Sequence, residues 1–177
     1  PGGIMRYGIP DFKLGKCVID RRLKIWKKEG VKFETNVDVG RSRALSLRKE
    51  FDAVVLACGS RAPRDLEIPG RELNGIHFAM DYLIEANKNA GAGLGPARSK
   101  GPSLQMNANG RRVIVIGGGD TGADCVGVAH RQGASSVLQI ELFPQPSSCR
   151  SAEYPWPKYP FILKTSTSHE EGGRRQW

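Results

Sequence analysis

Residues 113–123 read Val-Ile-Val-Ile-Gly-Gly-Gly-Asp-Thr-Gly-Ala, and this stretch constrains the fold more than any other. Four β-branched residues in a row, Val113 to Ile116, suit a strand buried in a parallel sheet. Gly117, Gly119 and Gly122 follow in the spacing G-x-G-x-x-G, and Thr121 to Gln132 reads as a helix that Gly133 stops. In such a turn the first glycine permits the sharp reversal from strand to helix. The second lets the backbone approach a pyrophosphate, and the third lets the helix pack close to the strand. The helix N-terminus, with free N–H groups and the positive end of the dipole, favours an anion. A lone G-x-G-x-x-G is weak, but here a strand precedes it, a helix follows, and a second strand is readable at 136–142. The pattern points to a dinucleotide site. The alternative is a glycine-rich turn in a βαβ unit that binds nothing.

Gly117, Gly118, Gly119 and Gly122 are the candidates for diphosphate contact. Thr121 can cap the helix or bond a phosphate. Asp120 orders the loop, since a carboxylate beside a diphosphate repels it, and Asp124 reads as a helix acid rather than a ligand. Glu141 ends the second strand nineteen residues past Gly122, where an acid commonly bonds the adenosine ribose hydroxyls. A carboxylate there argues for NADH, because it repels the 2′-phosphate of NADPH. Arg150 can instead clamp that phosphate, or be a solvated loop arginine, so the choice of nucleotide stays open. No residue is assigned as acid, base or nucleophile: in nicotinamide chemistry the cofactors react and the protein positions them.

Composition narrows the class. At 39% hydrophobic and 25% charged, the 177 residues read as globular. No apolar run approaches the roughly 18 residues a membrane helix needs. The opening Pro-Gly-Gly-Ile-Met-Arg-Tyr-Gly-Ile-Pro is no secretory signal, and the lack of an initiating Met suggests a piece of a longer chain. Cys17, Cys58, Cys125 and Cys149 form no C-x-x-C, so neither zinc nor an iron–sulfur cluster is signalled within the chain. Cys58 and Cys125 read as small buried residues, and a reducing, cytoplasmic compartment fits. The net charge of +9 is scattered, as in Arg21, Arg22, Lys24, Lys27 and Lys28 on one helix, with no aromatic interleaving. A solvated face is favoured over nucleic-acid binding.

The first sixteen residues read as a glycine-rich loop with a short extended piece. Cys17–Glu29 is predicted helical, with Ile19, Leu23 and Trp26 inward. Val31–Val39 alternates as a half-buried strand, Arg41–Glu50 is a short helix or turn, and Phe51–Ala57 is a second buried strand running into Cys58-Gly59-Ser60. Ala79–Asn87 is a helix with Met80, Leu83 and Ile84 inward, and residues 88–110, with five glycines and two prolines, are an exposed linker. Pro144–Pro160 carries five of the eleven prolines and is irregular. His169-Glu170-Glu171 reads as solvated tail. The expected class is α/β, organised as parts of two domains.

Several segments together resemble the small (beta) subunit family of glutamate synthase and the related flavoprotein half of dihydropyrimidine dehydrogenase. They are Tyr7-Gly8-Ile9-Pro10-Asp11-Phe12-Lys13-Leu14, Glu29-Gly30-Val31-Lys32-Phe33, Phe51 to Gly59, Ile68-Pro69-Gly70, Val115 to Cys125, and Tyr154-Pro155-Trp156-Pro157. The resemblance covers nearly the whole chain outside 88–110. It implies electron transfer from NADPH or NADH to FAD and on through iron–sulfur clusters to a large (alpha) subunit, which makes glutamate from glutamine and 2-oxoglutarate. It also implies that residues 1–75 are the later part of an FAD domain, 76–110 a connecting helix and linker, and 111–177 the start of an inserted Rossmann-like NAD(P)H domain. Ile9 and Pro10, and Cys58, Gly59 and Ser60 at a strand end, are carried over as flavin-proximal. The FAD fingerprint and the cluster cysteines would lie upstream of Pro1, so this chain alone is expected to be inactive; Cys58 stands where relatives more often have Thr. Two rivals stay open: a non-catalytic nucleotide-binding or interaction module, and a related reductase feeding a different acceptor.

Overall fold

The computed structural model describes residues 1–60, 62–90 and 106–177. Six helices and three strands appear among them: α1 Gly3–Tyr7, α2 Lys16–Lys28, α3 Arg41–Glu50, α4 Ala79–Ala90, β1 Arg112–Ile116, α5 Gly119–Arg131, β2 Ser136–Ile140, α6 Thr167–Glu170 and β3 Arg174–Gln176. The chain divides into two compact units. One is Asp20–Ile76 with Pro1; the other is Gly2–Ile19 with His77–Trp177.

The second unit holds an all-parallel sheet in the order β1-β2-β3. The β1–α5–β2 crossover is the unit read from the glycine pattern, and Gly133, at φ +85°, ends α5 where only a residue without Cβ sits easily. Two apolar clusters flank the helix. Leu83 and Ala86 of α4 pack with Cys125 and Val128, while Val126 and Ala129 pack with Val137 of β2 and Ala108. A tail-to-helix fit completes this side: a Cβ on Gly127 would meet Ser168 Oγ at 2.5 Å and Phe12 Cζ at 2.6 Å. Lys13 pairs with the buried Asp124 at 2.5 Å, and the Arg131 guanidinium stacks on Phe12 at 3.5 Å from the ring centroid.

Several expectations are corrected. The tail is folded rather than loose: 167–170 form α6 with Ser168 fully buried and His169 half-buried, 174–176 add the third strand, and Glu170 and Glu171 stay exposed as expected. Residues 3–7 are helical rather than extended. Of the expected linker 88–110, residues 91–105 lie outside the described residues. Met106 and Ala108, however, are tied down, their N–H groups donating to Glu85 and Gln132 at 3.3 and 3.0 Å, and Ala108 is buried.

In the first unit the two expected strands do not form. Asn36 adopts φ 59° in the middle of Val31–Val39, and a left-handed residue breaks an extended run. Phe51–Ala57 has no strand beside it among the described residues, and an unpaired strand cannot satisfy its ladder. Val55 and Leu56 are accordingly 86% exposed, and Cys58, expected buried, is exposed. Trp26 is likewise more exposed than its helical spacing implied, with Arg22 over its ring and Phe33 at 6.3 Å.

Candidate dinucleotide site

The glycine turn lies at the C-terminal end of β1, where open parallel sheets place ligands. Gly117 at φ +100° and Gly119 at φ +74° take the left-handed conformations the turn demands. Gly117 N–H donates to Ile140 O at 2.8 Å, so the turn is anchored to the end of β2. A Cβ on Gly122 would strike Gly117 O at 2.7 Å, which is the close helix-to-strand approach that needs the third glycine. Gly118 is the N-cap of α5 and no side chain caps it, so the first-turn N–H groups are not satisfied by a capping side chain.

This end of α5 opens on a cleft of about 430 Å³. The cleft is lined by Gly119, Asp120 and Ala123 at the start of α5, by Glu141, Arg175 and Trp177, and by Tyr154, Tyr159, Phe161 and Lys164 of the irregular 144–164 segment. Asp120 and Thr121 are exposed at the helix start.

Glu141 sits against the turn. A Cβ on Gly118 would lie 1.8 Å from its Oε2. Its Oε1 accepts from Gln139 Nε2 at 3.0 Å and from Arg175 Nη2 at 3.2 Å. Gln139 Nε2 also donates to Gly117 O at 3.1 Å, and Gln139 Oε1 faces His169 Nε2 at 2.7 Å. Burial, then the charge of Arg175, holds the His169 imidazole below its usual range. The tail thus buttresses the turn from beneath.

Of the other candidates, Arg150 is exposed and donates Nη1 to Tyr154 O at 2.7 Å and Lys158 O at 2.9 Å, closing its own loop. The 7–10 loop is held in place by Asn87, which donates to Tyr7 O at 3.0 Å, and by Lys16, which donates to Ile9 O at 2.5 Å; Pro10 is buried. Cys58, Gly59 and Ser60 are exposed irregular chain in the other unit, with Gly59 at φ 68°. The structure therefore brings Gly119, Asp120 and Glu141 to one cleft and leaves Gly117, Gly118, Gly122, Thr121 and Arg150 outside its lining. Gln139, Lys164, His169 and Arg175 were not singled out as site residues from sequence. Their signal was weak, since polar residues in a proline-rich loop and a polar tail carry no periodicity.

Comparison with known proteins adds family evidence. Residues 15–154 match the family model described as pyridine nucleotide-disulphide oxidoreductase. The chain is 49% identical over 176 residues to "Glutamate synthase [NADPH] small chain" of Mycobacterium tuberculosis, covering 98% of this chain and 36% of that protein. It is 42% identical to the protein of the same name in Bacillus subtilis, covering 96% of this chain and 34% of the relative. It is 47% identical to "Glutamate synthase [NADH]" of Schizosaccharomyces pombe, over 97% of this chain and 8% of the relative. The chain thus spans about a third of the length of the bacterial relatives.

Proposed function

The chain belongs to the pyridine nucleotide-disulphide oxidoreductase family, and on that premise we propose that residues 111–177 bind NAD(P)H for a flavin oxidoreductase of the glutamate synthase small-subunit type. One observation carries the reading. Gly119, at the start of α5 that no side chain caps, lines a cleft together with the strand-end acid Glu141. The fit is physical: a Cβ at Gly119 would meet nothing, so the backbone there is open to a diphosphate, while the helix dipole favours its charge. When bound, nicotinamide supplies a hydride to flavin. The chain's own residues position the nucleotide, and the irregular loop brings Tyr154, Tyr159 and Phe161 to the lining of the cleft.

The flavin side is different. Residues 58–60 are exposed irregular chain without strand pairing and form no enclosed cradle. We derive no flavin step from these residues. In the whole protein we propose that FAD accepts the hydride. Iron–sulfur clusters, if the whole protein carries them, would supply the electron route from FAD to a large (alpha) subunit for glutamate synthesis from glutamine and 2-oxoglutarate. No helix among the described residues is long and apolar enough to cross a membrane, and a cytoplasmic setting is part of the proposal.

The test is the thermal midpoint of the chain with and without saturating NADPH or NADH. A ligand at 100 times its Kd that binds only the folded state adds about 2.7 kcal/mol. A raised midpoint with either nucleotide supports the site. An unmoved midpoint with both, on a chain with a cooperative transition, refutes it.

A further inference from the structure

We infer that Arg175 selects NADPH over NADH by taking the adenosine 2′-phosphate, with Glu141 holding the guanidinium in position; this rests on the dinucleotide reading above. The argument begins with strand placement. β3 runs parallel beside β2 in the register Gln139↔Arg175 and Ile140↔Gln176, and Glu141 N–H donates to Gln176 O at 2.7 Å. Arg175 is thereby delivered to the C-terminal end of β2, beside the acid that occupies the ribose position of dinucleotide folds.

Its guanidinium is fixed from three directions. Nη2 donates to Glu141 at 3.2 Å, Nη1 donates to Lys164 O at 2.9 Å, and Cζ lies 4.5 Å from the Trp177 ring centroid. A planar cation held this way keeps further N–H donors for a phosphate and loses little freedom in binding one. Arg175 lines the cleft, and Lys164 brings a second positive charge to the same wall.

Glu141 is the residue that would otherwise favour NADH, and here it is compromised for that task. Its Oε1 already accepts from Gln139 and from Arg175, and its charge is offset by the adjacent guanidinium. A carboxylate that selects NADH must be free to accept both ribose hydroxyls and to repel a phosphate. Arg150, the cation suggested by sequence for the 2′-phosphate, does not line the cleft and spends its Nη1 on two loop carbonyls instead.

The experiment is calorimetric titration of the 177-residue chain with NADPH and with NADH at constant ionic strength, for the wild type, R175Q and R175K. The wild type is expected to bind NADPH more tightly. In R175Q the ratio of the two affinities falls by about tenfold or more, as the loss of a charge-assisted grip implies. In R175K, which keeps the charge but not the planar fork, the ratio lies between, and this variant decides the matter if R175Q does not fold. A wild type that binds both nucleotides but prefers NADH, or a ratio that either folded variant leaves unchanged, overturns the inference alone. A folded wild type that binds neither overturns the proposed function and this inference with it.

Discussion

His169 Nε2 lies 2.7 Å from Gln139 Oε1, and that contact sets the polarity of a buried relay. The Ser166 N–H donates to His169 Nδ1 at 3.1 Å, and a backbone N–H cannot do otherwise. The imidazole proton therefore resides on Nε2 and donates to Gln139. The Gln139 amide nitrogen is then turned toward the Gly117 carbonyl and the Glu141 carboxylate. Gln139 is 1% exposed, so each of these bonds replaces water that cannot enter.

A pH dependence follows. Burial, then Arg175 and Lys13, disfavour protonation of His169 against the smaller opposing pull of Glu141. Its folded value lies below the ordinary 6.5, so the unfolded chain takes up the proton first as pH falls. The contribution to stability is complete above the unfolded value of 6.5 and is lost as pH falls below it toward the folded value. Urea midpoints at several pH values between 7.5 and 5 are expected to decline in the wild type and to decline less in H169Q. Parallel curves for the two would remove His169 as the cause.

Thiol chemistry separates the cysteines. Burial pushes the Cys125 thiol up to about 12, and the side chain is 4% exposed; Cys17, Cys58 and Cys149 are exposed. Only the thiolate reacts, so alkylation at neutral pH is expected to modify three cysteines quickly and Cys125 slowly. Peptide mass spectrometry with time reads this directly. Rapid labelling of Cys125 in the folded chain would mean that its cluster with Leu83 and Val128 opens readily.

The βαβ unit was legible because its signals are local: four β-branched residues, a glycine turn and a helical run stand within one stretch. The third strand was not, because Arg174-Arg175-Gln176 is short and polar and is held by backbone pairing to β2. Phe51–Ala57 shows the reverse failure. Its apolar run is a real strand signal, but a strand needs a neighbour, and none lies beside it among the described residues. The glycines and Glu141 could be named as candidates from their spacing, whereas the contacts of Gln139, His169 and Arg175 became visible only when the tail was seen folded beside the turn.

Packing at α5 makes a second glycine sensitive. Gly127 faces Ser168 Oγ and Phe12 Cζ at distances no Cβ tolerates, and Ser168 is fully buried. G127A is expected to destabilise by about 1–3 kcal/mol through overpacking. Chemical denaturation should show a lower midpoint with an unchanged slope. A variant as stable as the wild type would mean that α6 and the 10–14 loop yield without cost.

Gly122 separates stability from binding more sharply. Its added Cβ would meet the Gly117 carbonyl oxygen at 2.7 Å, and that oxygen is backbone, already bonded to Gln139 Nε2. Relief requires the start of α5 to move off the strand, which shifts the N–H groups facing the cleft. G122A is therefore expected to lose most of any midpoint increase given by NADPH while unfolding cooperatively without ligand. G133A is the control: it replaces the glycine just past the far end of α5, at φ +85° with Asn109 Oδ1 2.8 Å from the added Cβ. It should lower stability by about 1 kcal/mol or more and keep the nucleotide response. Equal loss of response in both variants would show that general destabilisation, not the geometry of the turn, governs binding.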